Sequence, residues 1–127
     1  MTTPEGKIKA KLDRMLKEEG LWFYSPQAGP YGGAGIPDRV GILHGRFLGV
    51  EVKADATKKL TRLQEACRDR IIAAGGFWFL VYDDATIDFL RLAIRNAGDR
   101  QAKVARAKAR KPGEGSRSDC LGEDDYP

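Results

Sequence analysis

Two short segments decide the fold of this chain: Gly35-Ile36-Pro37-Asp38 and Glu51-Val52-Lys53. Side chains alternate across a strand, so Glu51 and Lys53 would share one face of a strand while Val52 lies on the other. A carboxylate and an ammonium buried on one face are costly unless a partner compensates them. The pattern therefore predicts one core-facing side and one chemical side, where a divalent cation with bound phosphate would supply the compensation.

Composition and cysteine usage limit the class of protein. The chain has 127 residues, with 42% apolar and 31% charged residues, which is ordinary for one globular domain. It has no apolar run of about 18 residues and no apolar leader, which argues against membrane insertion and secretion and favours the cytoplasm. Cys67 and Cys120 lie far apart and His44 is the one histidine, which excludes a zinc site. The net charge is +4, and the run from Arg100 to Lys111 carries only basic charges, which favours a polyanionic partner.

Three segments have helical periodicity with cap residues at their ends. We expect helices from Thr3 to Gly20, from Thr61 to Gly75, and from Asp83 to about Ala97. The apolar stripe of the second helix should pack on the core, and Cys67 within it is interpreted as a core thiol.

Four segments have the composition of strands: residues 21–27, Asp38 to Leu43, Arg46 to Ala54, and Phe77 to Tyr82. Residues 29–37 form a glycine- and proline-rich loop that lacks the known phosphate-loop motifs, which argues against a nucleotide cofactor. The second and third strands should pair as a hairpin around Gly45, with Asp38 opposite Val52 and close to Glu51. The last strand is uninterruptedly apolar, so we expect it to be central, covered on both faces and parallel to the third strand.

The resulting order, α-β-β-β-α-β-α, predicts an α/β fold with a mixed sheet flanked by helices. We expect the folded domain to span residues 1–98, with residues 99–127 as a basic and then acidic tail whose last fifteen or so residues are disordered. The basic block of this tail is either a solvated extension of the third helix by a turn or two or an arm that contacts phosphates. Two polar residues have open interpretations on spacing alone. Glu5 is either a first-turn carboxylate favoured by the helix dipole or a functional residue. Gln64 either completes a capping box with Thr61 or points into the site.

With these residues placed, the chain resembles the VRR-NUC family of the PD-(D/E)XK nuclease superfamily, in its stand-alone, phage-type form, from about Glu5 to Asp83. The residues that carry the resemblance are Glu5 at the start of the first helix, Gly35-Ile36-Pro37-Asp38, Glu51-Val52-Lys53, and Gln64 in the helix that follows. The resemblance implies a restriction-endonuclease-like core and a metal-dependent DNA endonuclease. It also implies a set of catalytic residues: Glu5, Asp38, Glu51, Lys53 and Gln64.

The resemblance further implies the cofactor and the partners. A Mg²⁺ or Mn²⁺ ion would be held by Asp38, Glu51 and the backbone carbonyl of Val52, with Lys53 beside the attacking water. Stand-alone members are dimers that act on branched DNA such as four-way junctions, so we expect a homodimer that resolves junctions. The third helix is the expected contact, because its apolar residues spread beyond one stripe: Ile87, Phe89, Leu90, Leu92 and Ile94. The alternative is a non-cleaving nucleic-acid-binding module on the same fold, but retention of the full acid and lysine set favours the enzyme.

Overall fold

The computed structural model describes residues 2–27 and 35–109, with the side chains among them up to residue 96. Its elements are α1 (Pro4–Glu18), β1 (Phe23–Tyr24), β2 (Arg39–Leu43), β3 (Arg46–Val52), α2 (Arg62–Ala73), β4 (Phe77–Val81) and α3 (Asp84–Ala109). The strands form one sheet in the order β1-β2-β3-β4, antiparallel except for the parallel pair β3 and β4. The predicted α/β fold and its element order are confirmed. No helix in these described stretches is long and apolar enough to span a bilayer.

The hydrophobic core lies on one face of the sheet. Its buried members come from α1, β2, β3, β4 and α3: Leu12, Met15, Leu16, Leu43, Leu48, Val50, Val52, Val81, Ile87, Leu90 and Ile94. Val40 is also buried but pairs with Gly49, so it lies on the opposite face. Arg39 and Val50 are register partners and therefore share this face, and the Arg39 guanidinium bonds to Asp13 of α1. Arg91 of α3 pairs with Glu18 at 2.7 Å, which joins the two helices over the same face.

The opposite face of the sheet is approached by α2. A Cβ added at Gly49 would lie 3.4 Å from Ile71 Cδ1 and 2.8 Å from Pro37 Cγ. Both α2 and the segment before β2 therefore pack directly against this glycine. Glu51 lies two residues from Gly49 and shares its face. The site residues therefore lie on the α2 face, away from the main core.

The hairpin register differs from the predicted one by one residue. The turn consists of two residues, His44 and Gly45, both with positive φ (49° and 81°), which is typical of a two-residue hairpin turn. Leu43 therefore pairs with Arg46 and Arg39 with Val50. One step further along this register, Asp38 falls opposite Glu51 rather than Val52, which brings the two carboxylates closer than predicted.

The prediction of a central β4 with a core-facing α2 was wrong. β4 pairs with β3 alone and is the last strand in the order, and its residues Phe77–Leu80 are only partly buried. No residue of α2 is buried, Leu63 is 56% exposed, and Cys67 is a partly exposed free thiol. An apolar run does not distinguish a central strand from an edge strand under a helix, because both present apolar residues to neighbours.

Two other predicted boundaries differ. The first strand is confined to Phe23–Tyr24, since Pro26 within the predicted range has no N–H to donate to a ladder. The third helix continues through Gly98 to Ala109, because one glycine costs only about 1 kcal/mol in a segment rich in good helix formers. The first compact unit ends at Ile94, and the part of α3 from Arg95 to Ala109 belongs to a second unit. Most of the predicted loop and the predicted disordered end lie outside the described residues.

Candidate active site

The carboxyl end of β3 carries the polar residues of the site. Glu51 is the last but one residue of the strand and is only 3% exposed, the one charged residue buried among the described side chains. The Lys53 N–H donates to Val81 O (3.0 Å), so pairing with β4 continues one residue beyond the strand and fixes its direction. Glu51 and Lys53 consequently leave the sheet on the same face, as the alternation predicted.

Asp38 reaches this strand end from the start of β2. Its Oδ2 accepts a hydrogen bond from the Val52 N–H (2.8 Å), which ties the carboxylate to the backbone of the neighbouring strand. Its backbone carbonyl accepts from Arg39 Nη1 (2.8 Å), while the same guanidinium forms a two-point contact with Asp13 at 2.7 and 3.0 Å. Two-point arginine–carboxylate pairs are geometrically specific. Arg39 therefore positions Asp38 relative to α1.

Gln64 connects the strand end to α2, and both interpretations of its role hold at once. Its Oε1 accepts from the Thr61 N–H (2.8 Å) while its own N–H donates to Thr61 Oγ1 (3.1 Å), which is the predicted capping box. The same Oε1 accepts from Lys53 Nζ at 2.8 Å, and Nε2 donates to Glu51 Oε1 at 3.1 Å. Since both neighbours of Oε1 are donors, the orientation of the amide is determined. Gln64 thus holds the lysine and the glutamate of the site together.

The approach of the Pro37-Asp38 segment to α2 depends on one glycine. Gly35 has φ +91°, and a Cβ there would lie 2.4 Å from the Leu63 carbonyl oxygen. No side chain fits that gap, so only glycine allows the segment to pass against the first turn of α2. This close approach places Asp38 and Gln64 around the same strand end.

Glu5 contacts the site through a second residue. Its Oε2 lies 3.2 Å from Lys9 Nζ, and Lys9 Nζ lies 3.3 Å from Asp38 Oδ1. Sequence reasoning missed Lys9, although the i,i+4 spacing of Glu5 and Lys9 was visible as a helix ion pair. It also missed Arg39, whose partner Asp13 lies far away in the sequence and leaves no local signal.

The pKa values of Asp38 and Glu51 are shifted in opposite directions. Burial first, and then the hydrogen bond and negative charge of Asp38, raise the pKa of Glu51 to about 8. Burial alone would raise the pKa of Asp38, but hydrogen bonds from Glu51 and from the Val52 N–H, together with Lys9, hold it below its usual value. At neutral pH the pair therefore carries one negative charge, with the proton on Glu51.

The chemistry of this carboxylate pair fits a bound cation. Glu51 Oε2 is fully buried and no donor reaches it. Ionised, this oxygen would be unsatisfied, so it needs either a proton or a bound cation. Among the described side chains, which extend to residue 96, no three of His, Cys, Asp or Glu converge on one point. An ion here would therefore rely on two carboxylates, backbone oxygen and water, a ligand set suited to Mg²⁺ or Mn²⁺.

Compared with known proteins, the sequence matches no family model, and no curated protein matches it. A solved structure described as a VRR_NUC domain is similar to it, with a TM-score of 0.62 and 26% sequence identity over 70% of this chain and 95% of that one. This likeness supports membership of the VRR-NUC family. The family assignment made from the sequence is confirmed, and with it the expectation of a nuclease-family α/β fold.

Four of the five predicted catalytic residues meet at the end of β3 in this structure: Asp38, Glu51, Lys53 and Gln64. The fifth, Glu5, joins them through Lys9. Val52 contributes its N–H to Asp38. The catalytic and metal-binding roles of these residues remain predictions, and their positions make those roles testable one at a time.

Proposed function

We propose that this chain is a Mg²⁺- or Mn²⁺-dependent DNA endonuclease that hydrolyses phosphodiester bonds. One observation carries the proposal: the carboxylate of Glu51, whose buried Oε2 meets no donor, interacts with that of Asp38, while Gln64 holds Lys53 at the same strand end. A structural carboxylate pair would not require both an unsatisfied oxygen and an ammonium held next to it. The solved VRR_NUC domain supports the nuclease class on independent grounds.

Each residue has a definable task in this reaction. Asp38, Glu51 and the Val52 carbonyl would hold the ion. A bound Mg²⁺ or Mn²⁺ lowers the pKa of a coordinated water and offsets the charge of the phosphate. Lys53 donates one of its three N–H bonds to Gln64, which leaves the others for the water or for a phosphate oxygen. Donors of this kind, fixed in place before the reaction, contribute about 10²–10³ in rate in other enzymes.

The substrate we propose is branched DNA, cut by a homodimer in the cytoplasm. A two-fold pair of sites can cut two strands symmetrically, as junction resolution requires. On α3, Phe89 and Leu92 are 64% and 57% exposed while Ile87, Leu90 and Ile94 are buried, so the helix has a second apolar side available to a partner. The basic segment Arg100–Lys111 supplies positive charge for DNA phosphates.

The test is cleavage of a panel of duplex, single-stranded, flapped and four-way-junction DNA with Mg²⁺ or Mn²⁺. We expect EDTA to abolish cutting, and Ca²⁺ to bind without supporting turnover. Lys53→Met should bind the ion and DNA but cut at least about 10²-fold more slowly. Asp38→Asn should lose both ion binding and cutting.

Three outcomes would contradict the proposal. Near-normal turnover by Lys53→Met would contradict the role assigned to Lys53. Cutting that persists in EDTA would show that the reaction needs no divalent ion. Tight DNA binding without cutting under every condition would identify a non-cleaving binding module instead. A matched control is Lys58→Met, which removes an exposed lysine near the site in sequence and should change neither ion binding nor turnover.

A further inference from the structure

A lysine that none of the proposed steps uses lies against the carboxylates of the site. Lys9 Nζ is 3.3 Å from Asp38 Oδ1 and 3.2 Å from Glu5 Oε2, and the Lys9 side chain is only 30% exposed. Lys9 belongs to α1, on the Val50 face of the sheet, whereas Lys53 leaves β3 on the Glu51 face. The two ammonium groups therefore approach the carboxylates from different sides.

Lys9 is charged in this position. Partial burial alone would lower its pKa, but the carboxylates of Asp38 and Glu5 outweigh the burial and raise the pKa above its usual value. Both oxygens of Asp38 are engaged as a result, Oδ2 with the Val52 N–H and Oδ1 with Lys9. Glu5 holds the ammonium from the other side, one helical turn earlier.

A divalent ion at Asp38 would change this arrangement. It would place two positive charges next to the Lys9 ammonium on the same carboxylate, where both are partly shielded from water and repel strongly. The flexible four-carbon stem of lysine lets the ammonium move while α1 stays fixed. An incoming DNA phosphate offers that displaced ammonium a new anionic partner.

On this basis, and resting on the proposed function for the nature of the site, we propose that Lys9 is an exchangeable cation. In the metal-free protein Lys9, held by Glu5, neutralises and orients Asp38. When the divalent ion binds, Lys9 leaves Asp38 and contacts a phosphate of the DNA near the cleavage point. The exchange makes ion binding and DNA binding cooperative. The ion frees the Lys9 ammonium for a phosphate, and the phosphate draws away the ammonium that would repel the ion. Glu5 then acts by positioning Lys9 rather than by holding the metal.

The first test measures ion affinity without DNA. Mn²⁺ is titrated calorimetrically into the wild type and into Lys9→Met, which keeps the apolar stem and removes the charge. We expect Lys9→Met to bind Mn²⁺ about fivefold or more tightly, since the competing ammonium is gone. Lys7→Met, an exposed lysine on the same helix, is the control for net charge and should leave the affinity near that of the wild type. Lys9→Arg keeps the charge and should not tighten binding.

A merely structural role for Lys9 predicts a different result. Loss of a packing and ion-pair residue would lower thermal stability and weaken or leave unchanged the Mn²⁺ affinity. We expect Lys9→Met to melt at a lower temperature than the wild type in EDTA, with a smaller difference at saturating Mn²⁺. An affinity for Mn²⁺ that is unchanged or weaker in Lys9→Met overturns the exchange, even if the wild type cuts DNA.

The second test measures the contact with phosphate. DNA affinity is determined in Ca²⁺ over a range of salt concentrations for the same variants. We expect Lys9→Met to bind DNA more weakly, with the log–log salt slope reduced by about 0.9, the value for one duplex phosphate contact. An unchanged slope overturns the transfer to phosphate. A wild type that binds no Mn²⁺ and cuts no DNA overturns the proposed function together with this inference. A wild type that cuts DNA while Lys9→Met keeps its Mn²⁺ affinity and salt slope overturns this inference alone.

Discussion

The side-chain oxygen of Gln64 accepts a hydrogen bond from the Lys53 ammonium at 2.8 Å while it also caps α2 through the Thr61 N–H. One side chain therefore links the stability of a helix start to the direction of the lysine. This arrangement explains why a glutamine lies at a capping-box position where glutamate is the usual alternative. A glutamate would add a third carboxylate beside Asp38 and Glu51, whereas the amide Nε2–H of Gln64 donates a hydrogen bond to Glu51 Oε1.

The two tasks of Gln64 can be separated by substitution. Gln64→Met should lose both the cap and the contact with Lys53, which lowers stability by about 1 kcal/mol and turnover about 10- to 100-fold. Thr61→Ala, the matched control, should lose a similar stability with turnover close to that of the wild type, because Lys53 and Glu51 keep their partner. Denaturant unfolding and cleavage rates on the same preparations provide the comparison. Equal losses of turnover in the two variants would show that the cap alone matters.

A comparison of Gly35 with Gly20 distinguishes the cost of backbone strain from the cost of a steric clash. Gly20 and Gly35 both have positive φ, but a Cβ at Gly20 meets nothing within 4 Å while one at Gly35 would strike the Leu63 carbonyl oxygen. Gly20→Ala should therefore cost about 1–2 kcal/mol from strain alone. Gly35→Ala should cost more and also weaken Mn²⁺ binding, because the segment that carries Asp38 must move. Normal Mn²⁺ affinity in folded Gly35→Ala would argue against this role of the loop.

What the sequence could predict depended on whether the signal was local. The N-cap at Thr3, the capping box at Thr61 and the alternation around Glu51 are set by neighbours in the chain, and all three are present in the structure. The burial of α2 and the position of β4 in the sheet depend on what lies across the sheet, which periodicity does not report. Lys9 falls between these cases. Its spacing from Glu5 was visible, but its contact with Asp38 arises only when α1 is packed beside β2.

The surface of α3 carries the prediction of a dimer. Phe89 is 64% exposed and lies edge-on to Phe79 of β4, so part of its ring packs on its own domain and the rest is available to a partner. Phe89→Glu should convert a dimer to a monomer in light scattering at micromolar concentration. Ile72→Glu is a matched control on α2, where Ile72 is 54% exposed. Dissociation by Ile72→Glu but not by Phe89→Glu would show that the interface lies on α2. A monomeric wild type would contradict the predicted dimer.

The last prediction concerns pH and follows from the raised pKa of Glu51. In the unfolded chain Glu51 ionises near 4.5, whereas in the folded metal-free protein its pKa is about 8. Between these values the unfolded state gives up its proton first, so the stability of the metal-free protein should fall as pH rises through this window and level off above it. The lowered pKa of Asp38 acts in the opposite direction and only in the acid range below its usual 3.8, so the two effects do not overlap.

The same proton competes with the metal. Below pH 8 an ion at this pair must displace the proton of Glu51, so Mg²⁺ affinity should rise up to about tenfold per pH unit between pH 6 and 8 and then become constant. Calorimetric titrations in buffers of different ionisation enthalpy would count the proton released. In Glu51→Gln the fall of metal-free stability between pH 5 and 8 should disappear, because the neutral amide imitates the protonated acid at every pH. Equal Mg²⁺ affinity at pH 6 and pH 8 in the wild type would mean that Glu51 is already ionised at pH 6, or that the ion binds without it.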